Sequence, residues 1–118
     1  MPASYKHVHQ YKRNRALLDS ELFNDGQCKY QEWVVVIMFY AALHLVDKRV
    51  AAVKVHPRNH KDRIKFVNKV LPSHIASKYY TLYMESRKAR YDCIEFPYEK
   101  VKELKEKCFE VIESNIEV

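Results

Sequence analysis

Residues 33–46 read WVVVIMFYAALHLV, and the first eleven of them carry no charged side chain. A helix that is apolar on every side must be covered on every side, so we predict a central helix enclosed by its neighbours. The length of the run and its Ala- and Leu-rich continuation favour helix over strand. The run is too short to cross a bilayer, which takes roughly 18 apolar residues.

Composition narrows the class of protein. The chain has 118 residues, which suits one domain, and its 1 Gly and 4 Pro supply too few turns for an all-β fold. A net charge of +6 permits nucleic-acid binding without establishing it. The 3 widely spaced Cys are typical of reduced thiols, so we expect a cytoplasmic protein. The N-terminus lacks an apolar signal core, which predicts neither secretion nor membrane insertion.

Breaks in the apolar pattern divide the chain into helices. Five helical segments are predicted, at residues 8–23, 28–53, 57–70, 74–92 and 98–116. The breaks are Asn24-Asp25-Gly26, the segment around Pro57, Leu71-Pro72 with Ser73 as N-cap, and Pro97. The fold class is therefore all-α, an antiparallel four- to five-helix bundle. It forms a single domain, residues 1–118, with 1–26 as a flanking arm and 28–116 as the core bundle.

The apolar surface of the central helix also bears on oligomeric state. It exceeds what thin neighbouring helices are expected to cover, and a second copy of the chain is the simplest cover. We therefore expect a homodimer.

Three segments in this order resemble the HEPN superfamily of small helical-bundle domains. They are FYAALHLVDKRVA at 39–51, HPRNHKDRIKFV at 56–67 and YYTLYMESRKARYD at 79–92, the last with an S-R-x-A-R-Y segment. The resemblance covers residues 28–115 and implies an HEPN-like bundle. It also implies the partners of that superfamily, which are RNA or a nucleotide and a nucleotidyltransferase-type protein, in a toxin–antitoxin or defence setting.

Catalytic HEPN ribonucleases carry an Arg-x(4–6)-His motif and cleave RNA without a metal, by acid–base chemistry of the His and phosphate stabilisation by the Arg. In this chain no His follows Arg87 or Arg90 at that spacing, and the nearest match is Arg49 with His56. The candidates for a metal-independent endoribonuclease are therefore His56, His60 and Arg49.

A second group of residues favours ligand binding. Arg side chains bind phosphate in a bidentate manner and Tyr offers a stacking face. The candidate phosphate-binding residues are His44, Arg63, Ser86, Arg87, Arg90 and Tyr91, with His56 and His60 at the rim. The alternative is a buried polar network, in which His44 hydrogen-bonds Ser86 and the arginines pair with Asp47, Asp92 or Glu95.

His56 and His60 also have the i, i+4 spacing of a zinc pair. Pro57 makes His56 a cap rather than a helical residue, and no Cys or acidic partner is placed to assist. We therefore predict no metal and no cofactor. The leading hypothesis is a nucleotide- or RNA-binding helical module. The alternatives are the ribonuclease and a non-catalytic dimeric protein-interaction bundle.

Overall fold

The computed structural model describes residues 4–20, 23, 28–92 and 94–116, which form helices and loops without a strand. The helices are α1 (Ser4–Leu18), α2 (Gln31–Ala51), α3 (His60–Val70), α4 (Ser73–Tyr91), α5 (Tyr98–Leu104) and α6 (Glu110–Asn115), with a π-helical turn at Lys105–Phe109. The prediction of an all-helical bundle is confirmed. The predicted turn at residues 24–26 and Cys93 lie outside the described residues. Within them, no helix combines the length and apolarity that crossing a membrane requires.

Helix α2 is central, as the sequence predicts, because it contacts every other helix. Its buried side chains include Val35, Met38 and Phe39, which are fully enclosed. Trp33 is the only exposed residue of the 33–46 stretch, while Ile37, Tyr40 and His44 are half-buried. One chain therefore covers most of this helix by itself. The uncovered apolar surface that suggested a dimer is smaller than the sequence indicated.

Helix α1 packs along α2 rather than lying apart from the bundle. Its Tyr11 and Leu18 belong to the same buried cluster as the α2 side chains. The Tyr11 hydroxyl donates a hydrogen bond to Glu113 in α6, and burial together with this carboxylate raises the pKa of Tyr11 above its ordinary value. The sequence pattern assigns residues 1–26 to a flanking arm. The described part of that range instead packs into the bundle. Burial of Tyr11 and Leu18 makes α1 part of the core.

Two helix starts differ from the prediction for local reasons. Helix α3 begins at His60 rather than near Pro57, because the Asn59 side chain accepts a hydrogen bond from the Asp62 N–H at 2.8 Å and caps the helix. Helix α4 begins at Ser73 itself, and Pro72 occupies the N-cap position. The prediction of Ser73 as an N-cap is therefore wrong.

The last helical segment is interrupted by the π turn. A π turn closes its hydrogen bonds over one more residue than an α-helix does, so it rotates the residues that follow. The helical spacing of the sequence predicts Val101, Leu104, Cys108, Val111 and Ile112 as the inward positions, and all of them except Val111 are buried. Phe109 is also fully buried, whereas Val111 is only half-buried. Regular helical spacing assigned the inward position to Val111 and missed Phe109.

Candidate functional site

Four rings pack in tilted contacts where α2, the start of α3 and α4 meet. They belong to Phe39, His60, Tyr79 and Tyr83. Phe39 of α2 lies 5.7 Å from the His60 ring and 5.6 Å from the Tyr79 ring, between centroids. The His60 ring in turn lies 5.2 Å from the Tyr83 ring. We call these four rings the aromatic floor; three of them lie on α2 and α4, and His60 is the first residue of α3. Arg87 follows Tyr83 by one helical turn on the same side of α4.

Arg87 is exposed and held by the tyrosine one turn before it. Its Nη1 donates to the Tyr83 hydroxyl at 3.4 Å, and the guanidinium carbon lies 5.9 Å from the centre of the Tyr83 ring. A guanidinium over an aromatic face is weakly attracted to the ring and keeps its N–H groups available at its edge. Tyr83 therefore orients Arg87 without neutralising it.

Arg90 is held by two helices. Its Nη1 donates to the Tyr40 hydroxyl on α2 at 3.1 Å, and its Nε donates to the Ser86 carbonyl at 3.3 Å. The guanidinium carbon lies 5.1 Å from the centre of the Tyr91 ring, and Tyr91 itself is 67% exposed. The structure thus brings Arg90 and Tyr91 together, as the sequence predicted, and adds Tyr40.

Neither arginine is paired with a carboxylate in the described part of the chain. The alternative network that the sequence allowed, with Arg87 and Arg90 bound to Asp47, Asp92 or Glu95, is therefore wrong. Two guanidinium groups one turn apart on α4 keep their charge open to an external anion.

His60 lies beside these arginines as a neutral base. Burial lowers its pKa below the ordinary value of 6.5, and the positive charges of Arg63 and Arg90 lower it further. Its Nδ1 is buried and has no hydrogen-bond partner among the described residues. The imidazole is therefore uncharged at neutral pH, because burial and the nearby arginines outweigh the opposing charge of Asp47.

Arg63 was predicted to bind phosphate, but the structure commits it to an internal ion pair. Its Nε and Nη2 donate to the two carboxylate oxygens of Asp47 at 2.7 and 3.0 Å, and both side chains are buried. A bidentate pair occupies the face of the guanidinium that would hold a phosphate. Arg63 is therefore not available to bind phosphate. Its ion pair with Asp47 joins α3 to α2 instead.

The side chains of His44 and Ser86 make no hydrogen bond to the arginines in the described structure, although the Ser86 carbonyl accepts from Arg90. The Nδ1 of His44 lies 3.0 Å from the Nδ1 of His7 on α1, beside a hollow lined by Tyr5, Lys6, His9 and Gln10. Ser86 is fully buried, and its hydroxyl has no hydrogen-bond partner in the described structure. The hydrogen bond between His44 and Ser86 that belonged to the alternative network does not form, since α1 covers the face of α2 that carries His44.

The remaining catalytic candidates do not form a group with the arginines. Arg49 and His56 are exposed, and neither makes a hydrogen bond or an ion pair among the residues described. Cys108 is buried and its thiol pKa is raised by that burial, which makes it a poor nucleophile. No group of three or more side chains suited to metal binding occurs in the described ranges.

Sequence reasoning missed Tyr40 and Tyr83 as parts of the site. Tyr83 carried a signal, because it precedes Arg87 by four residues on a helix. Tyr40 carried no such signal, because it belongs to the apolar run of α2. Its hydroxyl contacts Arg90 only because α2 packs against α4.

Comparison of the chain with models of protein families, with curated proteins and with solved structures finds no match. What the geometry defines is a cationic, aromatic-lined surface site on a helical bundle.

Proposed function

We propose that the chain is an HEPN-like nucleotide- or RNA-binding module whose phosphate site is formed by Arg87 and Arg90. The observation that carries this proposal is the pair of guanidinium groups that tyrosines orient and no described carboxylate neutralises. A charged group held in place without an internal counter-ion suits recognition of an external anion. Arginine matches the geometry of phosphate oxygens with two parallel N–H groups.

The tyrosines favour a nucleotide over a simple anion. The exposed ring of Tyr91 adjoins Arg90, and the half-buried ring of Tyr83 adjoins Arg87. Aromatic faces next to a cationic track are the usual means of holding single-stranded RNA, because bases stack on the rings while the backbone follows the charges. The neutral imidazole of His60 adds a hydrogen-bonding group that does not compete for the phosphate.

Binding of a labelled single-stranded oligoribonucleotide, measured by fluorescence anisotropy, tests the proposal. Arg87→Gln and Arg90→Gln should each weaken binding and reduce the slope of log K against log salt by about 0.7, the loss of one phosphate contact. Lys69→Gln is the matched control, since Lys69 is exposed at the end of α3 opposite His60. Equal weakening by all three substitutions, or none by the two arginine variants, would contradict the proposal.

A second candidate function, metal-independent endoribonuclease activity, rests on His60. Its lowered pKa keeps the imidazole neutral, as a general base requires, and Arg87 and Arg90 contribute to its electrostatic surroundings. The same arginines would stabilise charge on a phosphate in the transition state. This candidate uses His60 and not the Arg49–His56 spacing.

The third candidate is a non-catalytic dimeric interaction bundle, and the homodimer and a nucleotidyltransferase-type partner remain proposals. Their support is a ridge of exposed side chains on α4, Tyr80, Met84, Arg87 and Tyr91. Tyr, Met and Arg are enriched at protein interfaces. A monomer in sedimentation at micromolar concentration would remove the homodimer, and failure to bind RNA together with a copurifying protein would favour this candidate over the first.

A further inference from the structure

A small hollow adjoins the phosphate site on the side of Arg90. It lies between the first turns of α2 and the last turns of α4, is lined by Glu32, Trp33, Val36, Ala89 and Arg90, and encloses about 280 Å³. Arg90 belongs to both surfaces, because it lines this hollow and stacks beside Tyr91. The hollow is therefore within reach of a ligand whose anionic group binds Arg90.

The walls of the hollow suit a flat ring. Trp33 is the only tryptophan of the chain and is 54% exposed, although it belongs to the apolar stretch of α2. Val36 and Ala89 add apolar surface to the lining, beside the charged Glu32 and Arg90. An exposed indole face is the strongest stacking surface that a protein offers to a base, and such stacking contributes to single-strand binding irrespective of sequence.

Glu32 is the acidic side chain in the lining of the hollow. Its side chain is half-buried and makes no ion pair or hydrogen bond in the described part of the structure. An ionised carboxylate only accepts hydrogen bonds and repels phosphate oxygens. A group that binds beside Glu32 must therefore carry hydrogen-bond donors. Guanine alone among the four RNA bases presents two adjacent donors, N1–H and the N2 amino group, which match the two oxygens of a carboxylate.

We infer that the Glu32–Trp33 hollow is a guanine-selective base subsite of the Arg87/Arg90 phosphate site. The base stacks on Trp33 and donates from N1 and N2 to the Glu32 carboxylate, while the 5′-phosphate or the neighbouring RNA phosphate binds Arg90. This inference rests on the proposed function and adds the substrate class, single-stranded RNA or nucleotides containing guanine.

Trp33 emission is a direct readout, because the chain contains no other tryptophan. Titration with GMP should quench this emission, and AMP, CMP and UMP should bind at least about tenfold more weakly, the discrimination that one bidentate contact to a base provides. Equal affinity for GMP and AMP would overturn the inference.

Glu32→Gln isolates the selectivity from the phosphate contact. This variant should lose the preference for GMP over AMP because GMP binds more weakly, whereas AMP should bind at least as tightly, since the negative charge beside Arg90 is gone; Arg90→Gln should weaken binding of both. Glu99→Gln is the matched control, since Glu99 also lies in the first turn of a helix but is exposed on α5. A Glu32→Gln protein that still prefers GMP would overturn the assignment of Glu32.

Two further outcomes separate this inference from the proposed function. RNA binding that depends on Arg87 and Arg90, but leaves Trp33 emission unchanged, would overturn the base subsite and leave the phosphate site intact. Absence of binding to any nucleotide or oligoribonucleotide would overturn both. Trp33 emission that changes with protein concentration alone, together with a dimer in sedimentation, would instead assign the hollow to a second copy of the chain.

Discussion

Arg63 and Asp47 form a buried bidentate pair, with donor–acceptor distances of 2.7 and 3.0 Å. Burial alone would lower the pKa of Arg63, but the hydrogen bonds and the charge of Asp47 outweigh it and raise that pKa. The pair fixes α3 against α2. His60 precedes Arg63 by one turn of α3. The Arg63–Asp47 pair therefore also holds the His60 imidazole against Tyr83 and beside Arg90.

Breaking this pair should destabilise the protein strongly. Arg63→Met leaves the Asp47 carboxylate buried without its partner, which costs about 3–5 kcal/mol of unfolding free energy. The double variant Asp47→Leu with Arg63→Met removes both charges and should recover most of that loss. Urea denaturation of the two variants and the wild type measures the effect. A double variant no more stable than Arg63→Met would contradict the account.

The contact between His7 and His44 makes stability depend on pH. Their Nδ1 atoms lie 3.0 Å apart, so one ring donates and the other accepts, and protonation of both would remove the acceptor. Burial first, and His7 second, lowers the pKa of His44 below 6.5. The unfolded chain therefore takes up the proton more readily than the folded chain, and acid favours unfolding.

As far as His44 is concerned, the unfolding free energy should be constant between about pH 7 and about pH 8 and should fall as the pH drops through about 6.5 towards the lowered pKa of the folded state. His44→Gln should flatten this decline, and His60→Gln should remove a further part of it, because the pKa of His60 is lowered in the same direction. Denaturant midpoints between about pH 8 and about pH 5 measure the slope. An unchanged slope in His44→Gln would refute the assignment.

Ser86→Ala should be neutral or stabilising by about 1 kcal/mol. The Ser86 hydroxyl is fully buried without a hydrogen-bond partner in the described structure, so its removal relieves a desolvation cost and adds helix propensity. Thermal unfolding gives the stability and anisotropy gives RNA affinity, which should stay at the wild-type value. Weaker RNA binding by a stable Ser86→Ala protein would show that the Ser86 hydroxyl contributes to the binding site.

If the chain cleaves RNA, the activity should survive EDTA and should be lost in His60→Ala. His56→Ala should retain it, because His56 is exposed and makes no contact with the arginine site in the described structure. A gel assay on a labelled oligoribonucleotide compares the two variants after circular dichroism has established that both are folded. Cleavage lost in His56→Ala and kept in His60→Ala would reverse the assignment of the base.

Some of the site was predictable because it is local in the chain. Tyr83, Arg87 and Tyr91 follow one another at intervals of four residues, and Arg90 lies three residues after Arg87. Once residues 74–92 are assigned to a helix, these side chains share one side of it whatever the rest of the chain does. The same spacing predicts that Ile75, Tyr79 and Leu82 lie along one other side of this helix, and all three are buried.

The sequence by itself thus determined the helical class, the centrality of α2 and the position of Tyr83, Arg87 and Tyr91 on one side of α4, because helical periodicity acts over a few residues. Only the tertiary structure decided which charges stay open. Arg63 is paired with Asp47 16 residues away, His44 with His7 37 residues away, and Arg90 with Tyr40 50 residues away. Each of these pairings depends on the rotation and docking of whole helices, which is set by the packing of the entire core and by no single segment.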